Sequence, residues 1–464
     1  MKDKKDRIQA AIQELEAALQ EETAKNQQQM RAGREDVLHL ATRLLEFSDP
    51  AQRFGPQDEL IRSNSAATAP AYVGVVSQTL KTLWEYGPYA GRPQGSERVA
   101  SRSGEDAGAL AYSDRVNVAR EKIERFAGID AQADTLIYAI NTSDAIGKLA
   151  LTFHFSKDDV VLLPEMEHTS NFLPWLNCGA TTVLVKQNTD GTIDRADFEH
   201  KLAENRGRVR LFTFTTASNI SGRIPPIKEL VGLAHEAGAM VALDCAQYAP
   251  HFPMDKKGWG ADFTSFSAHK MGAPMGPGVL AVPKKWLEEH NSLIPGGGTI
   301  SDVRWKGGKP QISWSPDEAK HQPGTWPTIG IISMGAAVDV ITRDIGWEKL
   351  IEKEGRLLRL GYARLGEIPG FAPLFPVPSP GRWRTPVISF NIKGISPDRL
   401  VRELSSRGIQ VRGGSQDPIC NHLFIRQTLG LEGFVRISLG WHTTEQEVER
   451  IAAAVREVAG GKRM

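Results

Sequence analysis

Between about residues 60 and 310, short apolar runs alternate with stretches of helical periodicity. The runs fall at 136–140, 160–163, 182–185, 209–214, 240–243, 263–266 and 278–282, with helical patterns such as 227–237 between them. This alternation predicts an α/β fold: a mainly parallel, seven-stranded sheet with helices on both faces. Such sheets bind ligands beyond the carboxyl ends of their strands, so residues that end an apolar run are the first candidates for chemistry. From residue 335 the pattern changes to long helical stretches around short runs at Val387–Ile392, 410–412 and Phe434–Ser438, with a loop-rich segment at 368–381. That part predicts a smaller α+β domain. At the other end, Ile8, Ile12, Leu15 and Leu19 recur at helical spacing among Glu, Gln, Lys and Ala. Residues 1–48 therefore read as a helical extension packed on the body or on a second subunit. The expected division is an extension over 1–48, a large domain over 49–334 and a small domain over 335–464, with the start of the body able to pack against the small domain.

Composition removes several function classes. Lys plus Arg is 56 and Asp plus Glu is 55, a net charge of +1, so nothing electrostatic favours nucleic acid or an anionic membrane as partner. The three cysteines, Cys178, Cys245 and Cys420, stand far apart; neither a disulfide framework nor a zinc site is suggested, and no metal is expected. No apolar stretch approaches the roughly 20 residues of a membrane helix. The charged N-terminus lacks the apolar segment of a secretory signal. A soluble, cytoplasmic protein is the expectation.

Candidate chemistry gathers at the strand ends. Val-Ala-Leu-Asp-Cys-Ala-Gln (241–247) ends an apolar run on Asp244. Ser-Phe-Ser-Ala-His-Lys-Met-Gly (265–272) then sets Lys270 in a loop of small residues. A carboxylate at a strand end and a lysine about 25 residues later suit pyridoxal 5'-phosphate (PLP): the lysine forms a Schiff base with the aldehyde, and the carboxylate keeps the pyridine nitrogen protonated. Upstream, Asn141-Thr142-Ser143-Asp144-Ala145-Ile146 follows a strand and opens a helix. A helix N-terminus offers free N–H groups and a favourable dipole to an anion, and two hydroxyls add donors. Two further segments stand in order before Asp244-Cys245-Ala246-Gln247: Glu165-Met166-Glu167-His168-Thr169-Ser170-Asn171 and Thr216-Ala217-Ser218-Asn219-Ile220-Ser221-Gly222. Gly296-Gly297-Gly298-Thr299, Pro323-Gly324-Thr325 and Phe-Val-Arg-Ile-Ser-Leu-Gly (434–440) complete the set. Each alone is an ordinary turn, cap or ion pair.

Together these motifs resemble the class V aminotransferase family of fold-type I PLP enzymes over about 60–455, most nearly its cysteine desulfurase and selenocysteine lyase branch. The resemblance implies roles. Thr142, Ser143, Ser267 and His269 would hold the cofactor phosphate; His168 would stack on the pyridine ring and relay protons; Asn219 would face the phenolic oxygen and the substrate. Gln247 would donate to the phenolic oxygen, Asp244 would pair with the ring nitrogen, and Lys270 would carry the cofactor and move protons. Arg436 would bind the substrate carboxylate through its guanidinium fork. Thr325 would reach the phosphate of a neighbouring subunit, which implies a homodimer with shared sites. Gln322 departs from the Glu that the family often has there.

A larger departure follows Arg412. Cysteine desulfurases there carry Arg-x-Gly and then a nucleophilic cysteine, usually five positions after the arginine. This chain has Asp417 at that place, and Cys420 three residues later beyond Pro418. Either the loop is rebuilt so that Cys420 reaches the substrate sulfur, or the nucleophile is absent, which is the expectation; Asp417 is a poor sulfur acceptor and reads instead as a group that positions a substrate amine or hydroxyl, or as a base. The expectation is a PLP-dependent enzyme acting on a small amino acid, with desulfurase-like C–S (or other β-substituent) lyase chemistry and no persulfide cysteine. An aminotransferase or epimerase is the alternative among enzymes. A catalytically inactive PLP-fold subunit that binds a partner is the alternative of another class.

Overall fold

The computed structural model describes residues 39, 49–53, 60–86, 107–274, 276–292, 294–376, 384–420 and 423–461. Ile8, Ile12, Leu15 and Leu19 of the expected N-terminal helix lie outside the described residues.

Seven strands form the main sheet: β1 (Asp134–Ala139), β2 (Val160–Pro164), β3 (Thr181–Val185), β4 (Val209–Thr215), β5 (Met240–Asp244), β6 (Phe263–Ser267) and β7 (Gly278–Pro283). Their order is β1-β7-β6-β5-β4-β2-β3, and only β7 runs against its neighbours. The seven apolar runs of the sequence are thus the seven strands. Alternate residues serve opposite faces. Leu136, Tyr138, Leu162, Phe212 and Leu243 enter one hydrophobic cluster, while Ile137, Ala139, Val161, Leu211 and Ala242 enter another.

Helices α1 (Val73–Tyr86) and α2 (Ala107–Ala127) precede β1, and α3 (Thr142–Thr152) follows it. Downstream come α4 (Ile227–Glu236), α5 (Thr328–Asp339), α6 (Trp347–Gly366), α7 (Pro397–Ser406) and α8 (Glu445–Ala459). Helix α5 is apolar on nearly every side because it packs between α1, α2 and the sheet's core, which also takes Ile123, Ile331 and Met334. That large cluster continues to Leu350, and the next begins at Leu357, so the two meet inside α6. The division placed at 334/335 falls within α5.

The second cluster belongs to a four-stranded antiparallel sheet. After the hairpin described next (β8 and β9), its strands are β10 (Phe371–Pro373), β11 (Val387–Ile392), β12 (Arg412–Gly414) and β13 (Phe434–Ser438), in the order β10-β11-β13-β12. The run at 410–412 is divided. Ile409–Gln410 pairs in parallel with Ile61–Arg62, and Arg412 begins β12 opposite Arg436 on β13. Helix α8 starts with a reciprocal cap between Thr444 and Glu447.

The hairpin β8 (Ile300–Lys306) and β9 (Lys309–Trp314) is absent from the sequence expectation. Its signal was available: Gly307-Gly308 takes positive φ at both positions, as a tight two-residue hairpin turn requires. Val303, Trp305 and Ile312 of this hairpin are exposed. Among the described residues no helix is long and apolar enough to cross a membrane.

Candidate active site

The carboxyl ends of β1, β4 and β5 and the turn after β6 open on a cavity of about 490 Å³. At the first of these ends, Asn141 caps α3 by accepting from the Asp144 N–H at 3.0 Å. Thr142 and Ser143 therefore occupy the first helical turn, where backbone N–H groups have no helical partner. The Thr142 hydroxyl is buried without a hydrogen-bond partner, and Ser143 Oγ lies 2.5 Å from Ser170 Oγ. Strand β7 starts hard against this turn: at Gly278 any side chain would strike the Asn141 backbone, so glycine lets the sheet support the loop.

Asp244 ends β5, buried, with Oδ1 accepting from the Ala246 N–H at 2.9 Å. Burial pushes its carboxyl up, against the opposing pull of that bond and of Lys270. Lys270 follows β6 in a short 3-10 turn. Burial lowers its amine to about 8, Asp244 resists the change, and Arg436 reinforces it. An amine held this low is a ready nucleophile toward a carbonyl.

His168 caps the turn Thr169–Asn171, and its Nδ1 accepts from the Ser170 N–H at 3.2 Å. The proton of the neutral ring is thereby assigned to Nε2. Burial first, then Lys270 and Arg436, push His168 down to about 4. His269, also beside Lys270, is lowered to about 4, mainly by burial, and its Nδ1 meets Thr68 Oγ1 at 3.1 Å. Beneath His168, the buried Glu167 accepts from the Thr215 N–H at 2.9 Å and from Asn171 Nδ2 at 2.6 Å. Burial raises it to about 8.

The small sheet supplies the opposite wall. Arg436 is buried, donating through Nη1 to the Asn219 carbonyl at 3.0 Å and through Nη2 to Asn64 Oδ1 at 2.8 Å. Its Nε–H has no partner. Burial, then Arg412 across the strand pair, lowers it to about 10. Arg412 is half-buried and donates from Nη2 to Asp417 Oδ1 at 2.9 Å. Asp417 also accepts from the Ile419 N–H at 3.1 Å and the Gly413 N–H at 3.3 Å. Its carboxylate thus holds the loop in shape, and Ile419 rather than Asp417 lines the cavity.

Cys420 is buried among Met166, Ile220, Phe424 and Phe434. Its Sγ points to the Phe434 carbonyl at 3.7 Å, and burial with help from Asp417 raises the thiol to about 11. Among the described residues no cysteine lines the cavity, and no cluster of His, Cys, Asp and Glu could hold a metal ion.

Of the residues singled out in the sequence, Thr142, Ser143, His168, Asn219, Asp244, Gln247, His269, Lys270, Arg412 and Arg436 line this one cavity. Ser267 does not line it, though its hydroxyl is buried without a partner. Thr325 is exposed and away from the cavity of its own chain. Its loop is tied to the glycine loop by the Gly324 N–H to Gly297 carbonyl bond at 2.9 Å. Gln322 is buried, accepting from the Tyr138 N–H at 2.8 Å. Sequence reasoning missed Asn64, the small residues Ala66 and Ala67 on the cavity wall, and Ile140 at its rim. Asn64 lies far along the chain from Arg436, and no local pattern marks it.

The donor set fits PLP. Free N–H groups and unpartnered hydroxyls suit a phosphate, a buried carboxylate suits a ring N–H, and a lowered amine suits an aldehyde. Comparison with known proteins agrees. A family model described as Aminotransferase class-V matches residues 64–451. A probable cysteine desulfurase of Methanothermobacter thermautotrophicus is 31% identical over 405 residues, 86% of this chain and 94% of the relative. A probable cysteine desulfurase of Halalkalibacterium halodurans is 31% identical over 348 residues, 72% of this chain and 80% of the relative. Among solved structures, the cysteine desulfurase CsdA (S-sulfonic acid) from Escherichia coli superposes with a TM-score of 0.74 at 26% identity, covering 89% of this chain and 97% of that one.

Proposed function

The chain belongs to the aminotransferase class-V family, and from that premise we propose that it is a PLP-dependent lyase that removes a sulfur or other β-substituent from a small amino acid without a persulfide-forming cysteine. PLP, when bound, supplies an electron sink for the carbanion of the substrate. Every other part of the reading concerns this chain's own groups. Thr142 and Ser143 at the N-terminus of α3, with Ser267 and His269, would hold the phosphate. Asp244 would keep the ring nitrogen protonated, Gln247 and Asn219 would meet the phenolic oxygen, and His168 would stack on the ring. Lys270 would anchor the cofactor and carry protons to and from the substrate. Arg436, on the cavity wall, would receive the substrate carboxylate.

The observation that carries the reading is the meeting of Lys270, Asp244 and Arg436 on one cavity with no thiol on its walls among the described residues. A persulfide relay needs an accessible thiolate in an electropositive setting. Cys420 is buried, raised to about 11, and has Asp417 beside it. Without a thiol acceptor, sulfur leaves as the free β-substituent. Arg412 and Asp417 oppose each other in charge, so the end of the cavity keeps one net cation for one carboxylate. That favours amino acids with uncharged side chains.

The test supplies cysteine and related β-substituted amino acids and measures sulfide, ammonia and keto acid, with mass spectrometry for a protein-bound persulfide. Release of the substituent with ammonia and keto acid, and no persulfide, is expected. Amino transfer or racemisation instead would favour the aminotransferase or epimerase reading. Absence of any visible band from bound PLP would leave only the inactive, partner-binding subunit. Assembly as a homodimer belongs to the same proposal: Thr325 faces solvent here, and a phosphate across an interface would give it a partner.

A further inference from the structure

Gln247 lines the cavity, yet its side-chain hydrogen bond among the described residues leads to His251. Its Nε2 lies 3.2 Å from His251 Nε2, and its Oε1 is buried with no partner. His251 is buried as well, and its Nδ1 lies 2.8 Å from Glu354 Oε2. Glu354 is carried by α6, the helix in which the two hydrophobic clusters meet. A buried chain of three side chains therefore runs from that helix to the cavity wall.

The chain has two self-consistent states. With a neutral His251, Nδ1–H donates to Glu354 and Nε2 accepts from the Gln247 amide, so the carbonyl of Gln247, a residue of the cavity wall, is left as a buried, unpartnered acceptor. With a doubly protonated His251, Nε2–H must find an acceptor. The Gln247 amide then turns half round, gives its oxygen to the histidine, and shows the cavity its NH₂, a donor. The two ends of the amide have nearly the same shape, so the turn needs no other movement. A buried imidazolium is tolerable only with a carboxylate on it, and Glu354 supplies one. The other groups facing Glu354 are Tyr72, whose buried phenol it pushes further up, and Lys353, whose charge it favours.

We propose that His251 and Glu354 are positioning residues that decide whether Gln247 offers the cavity an acceptor or a donor, and that PLP, through its ionised phenolic oxygen, selects the donor state. One proton is taken from solvent onto His251 Nε2 when the cofactor binds. This rests on the PLP reading of the site. It adds that the cofactor's phenolic oxygen is controlled from α6 through a histidine that never touches it.

The experiment uses the full chain labelled with ¹⁵N-histidine, with His251→Asn for assignment, and records side-chain nitrogen shifts before and after loading with PLP. In the unloaded protein the expected pattern is a neutral His251 protonated on Nδ1. After loading, both nitrogens should carry protons. In parallel, Glu354→Gln should lower PLP affinity by about tenfold and diminish the long-wavelength visible band of the ionised phenolic form, with Glu354→Asp restoring part of each. If PLP binds with its visible band but His251 keeps one proton, or if Glu354→Gln leaves both affinity and band unchanged, this inference is overturned while the cofactor reading stands. If PLP does not bind the wild-type chain at all, the cofactor reading itself fails.

Discussion

One wall of the cavity is made by strand ends of the seven-stranded sheet, the other by β12, β13 and their loops from the four-stranded sheet. On the first wall each reactive group is fixed by short-range backbone bonds: Asp244 by the Ala246 N–H, His168 by the Ser170 N–H, and the Thr142 turn by the Asn141 cap. On the second wall, position depends on side-chain hydrogen bonds: Arg436 is held by the Asn219 carbonyl and Asn64, and Arg412 by Asp417. The resemblance drawn from the sequence is densest on the first wall, whereas position 417 of the second carries an aspartate. Backbone bonds within a turn place a side chain locally, whereas side-chain bonds between segments place it only once the fold has closed.

Lys270→Ala gives the largest expected effect. Both the covalent anchor and the proton carrier are lost, so the visible band and nearly all turnover should disappear; an unchanged spectrum in the purified variant would remove Lys270 from the role. Next comes Asp244→Asn, which should keep PLP bound but slow turnover on the order of 10²–10³-fold, since a buried group opposite the ring nitrogen no longer carries charge. Near-normal rates would mean that another group protonates the ring.

The second wall should answer differently. Arg436→Ala is expected to weaken amino-acid binding by about 2–5 kcal/mol, because a shielded charged hydrogen bond is removed, while the bound cofactor keeps its spectrum. Arg412→Ala should cost less in affinity and more in discrimination between side chains. Spectral titration with a panel of amino acids ranks the two, and a greater loss for Arg412 would reverse their assignment. Below these in size, Asp417→Ala should impair turnover by releasing Arg412 and the loop, whereas Cys420→Ser should leave it within a few-fold of wild type. An inactive Cys420→Ser variant, together with a persulfide on Cys420, would restore a thiol-relay mechanism.

The smallest effect concerns protonation of the first wall. His168 and His269 are lowered to about 4 in the folded protein, against about 6.5 unfolded. The unfolded chain then binds more protons between these values, so their contribution to stability is full above pH 6.5 and is lost as pH falls through to about 4. Denaturant titrations of the cofactor-free protein across that window should show the slope. Replacing both histidines by Asn should flatten it; an unchanged slope would assign the effect to other groups.

Much of the first wall could be read in the chain because its chemistry is local. Each of its residues stands at the end of an apolar run or in a short cap, and strand periodicity fixes where such ends lie. The second wall was legible only in Arg436 and in the altered spacing after Arg412. Asn64, which steadies Arg436, and Glu354, which reaches His251, sit on segments remote from their partners, and no periodicity joins them. The Gly307-Gly308 hairpin was legible but unread, since its strands are exposed and lack the alternation of a buried run.

By itself the sequence determined the seven strands, the order of the motifs along them and the identity of most of the polar groups that line the cavity. Apolar runs can be buried in few ways, and each motif is complete within a few residues. Tertiary structure alone decided that the Cys420 thiol turns into an apolar cluster, that Asp417 closes on Arg412, and that Gln247 is held from α6. Those outcomes depend on which side chains of distant segments exclude water together, and adjacency in the chain carries no record of it.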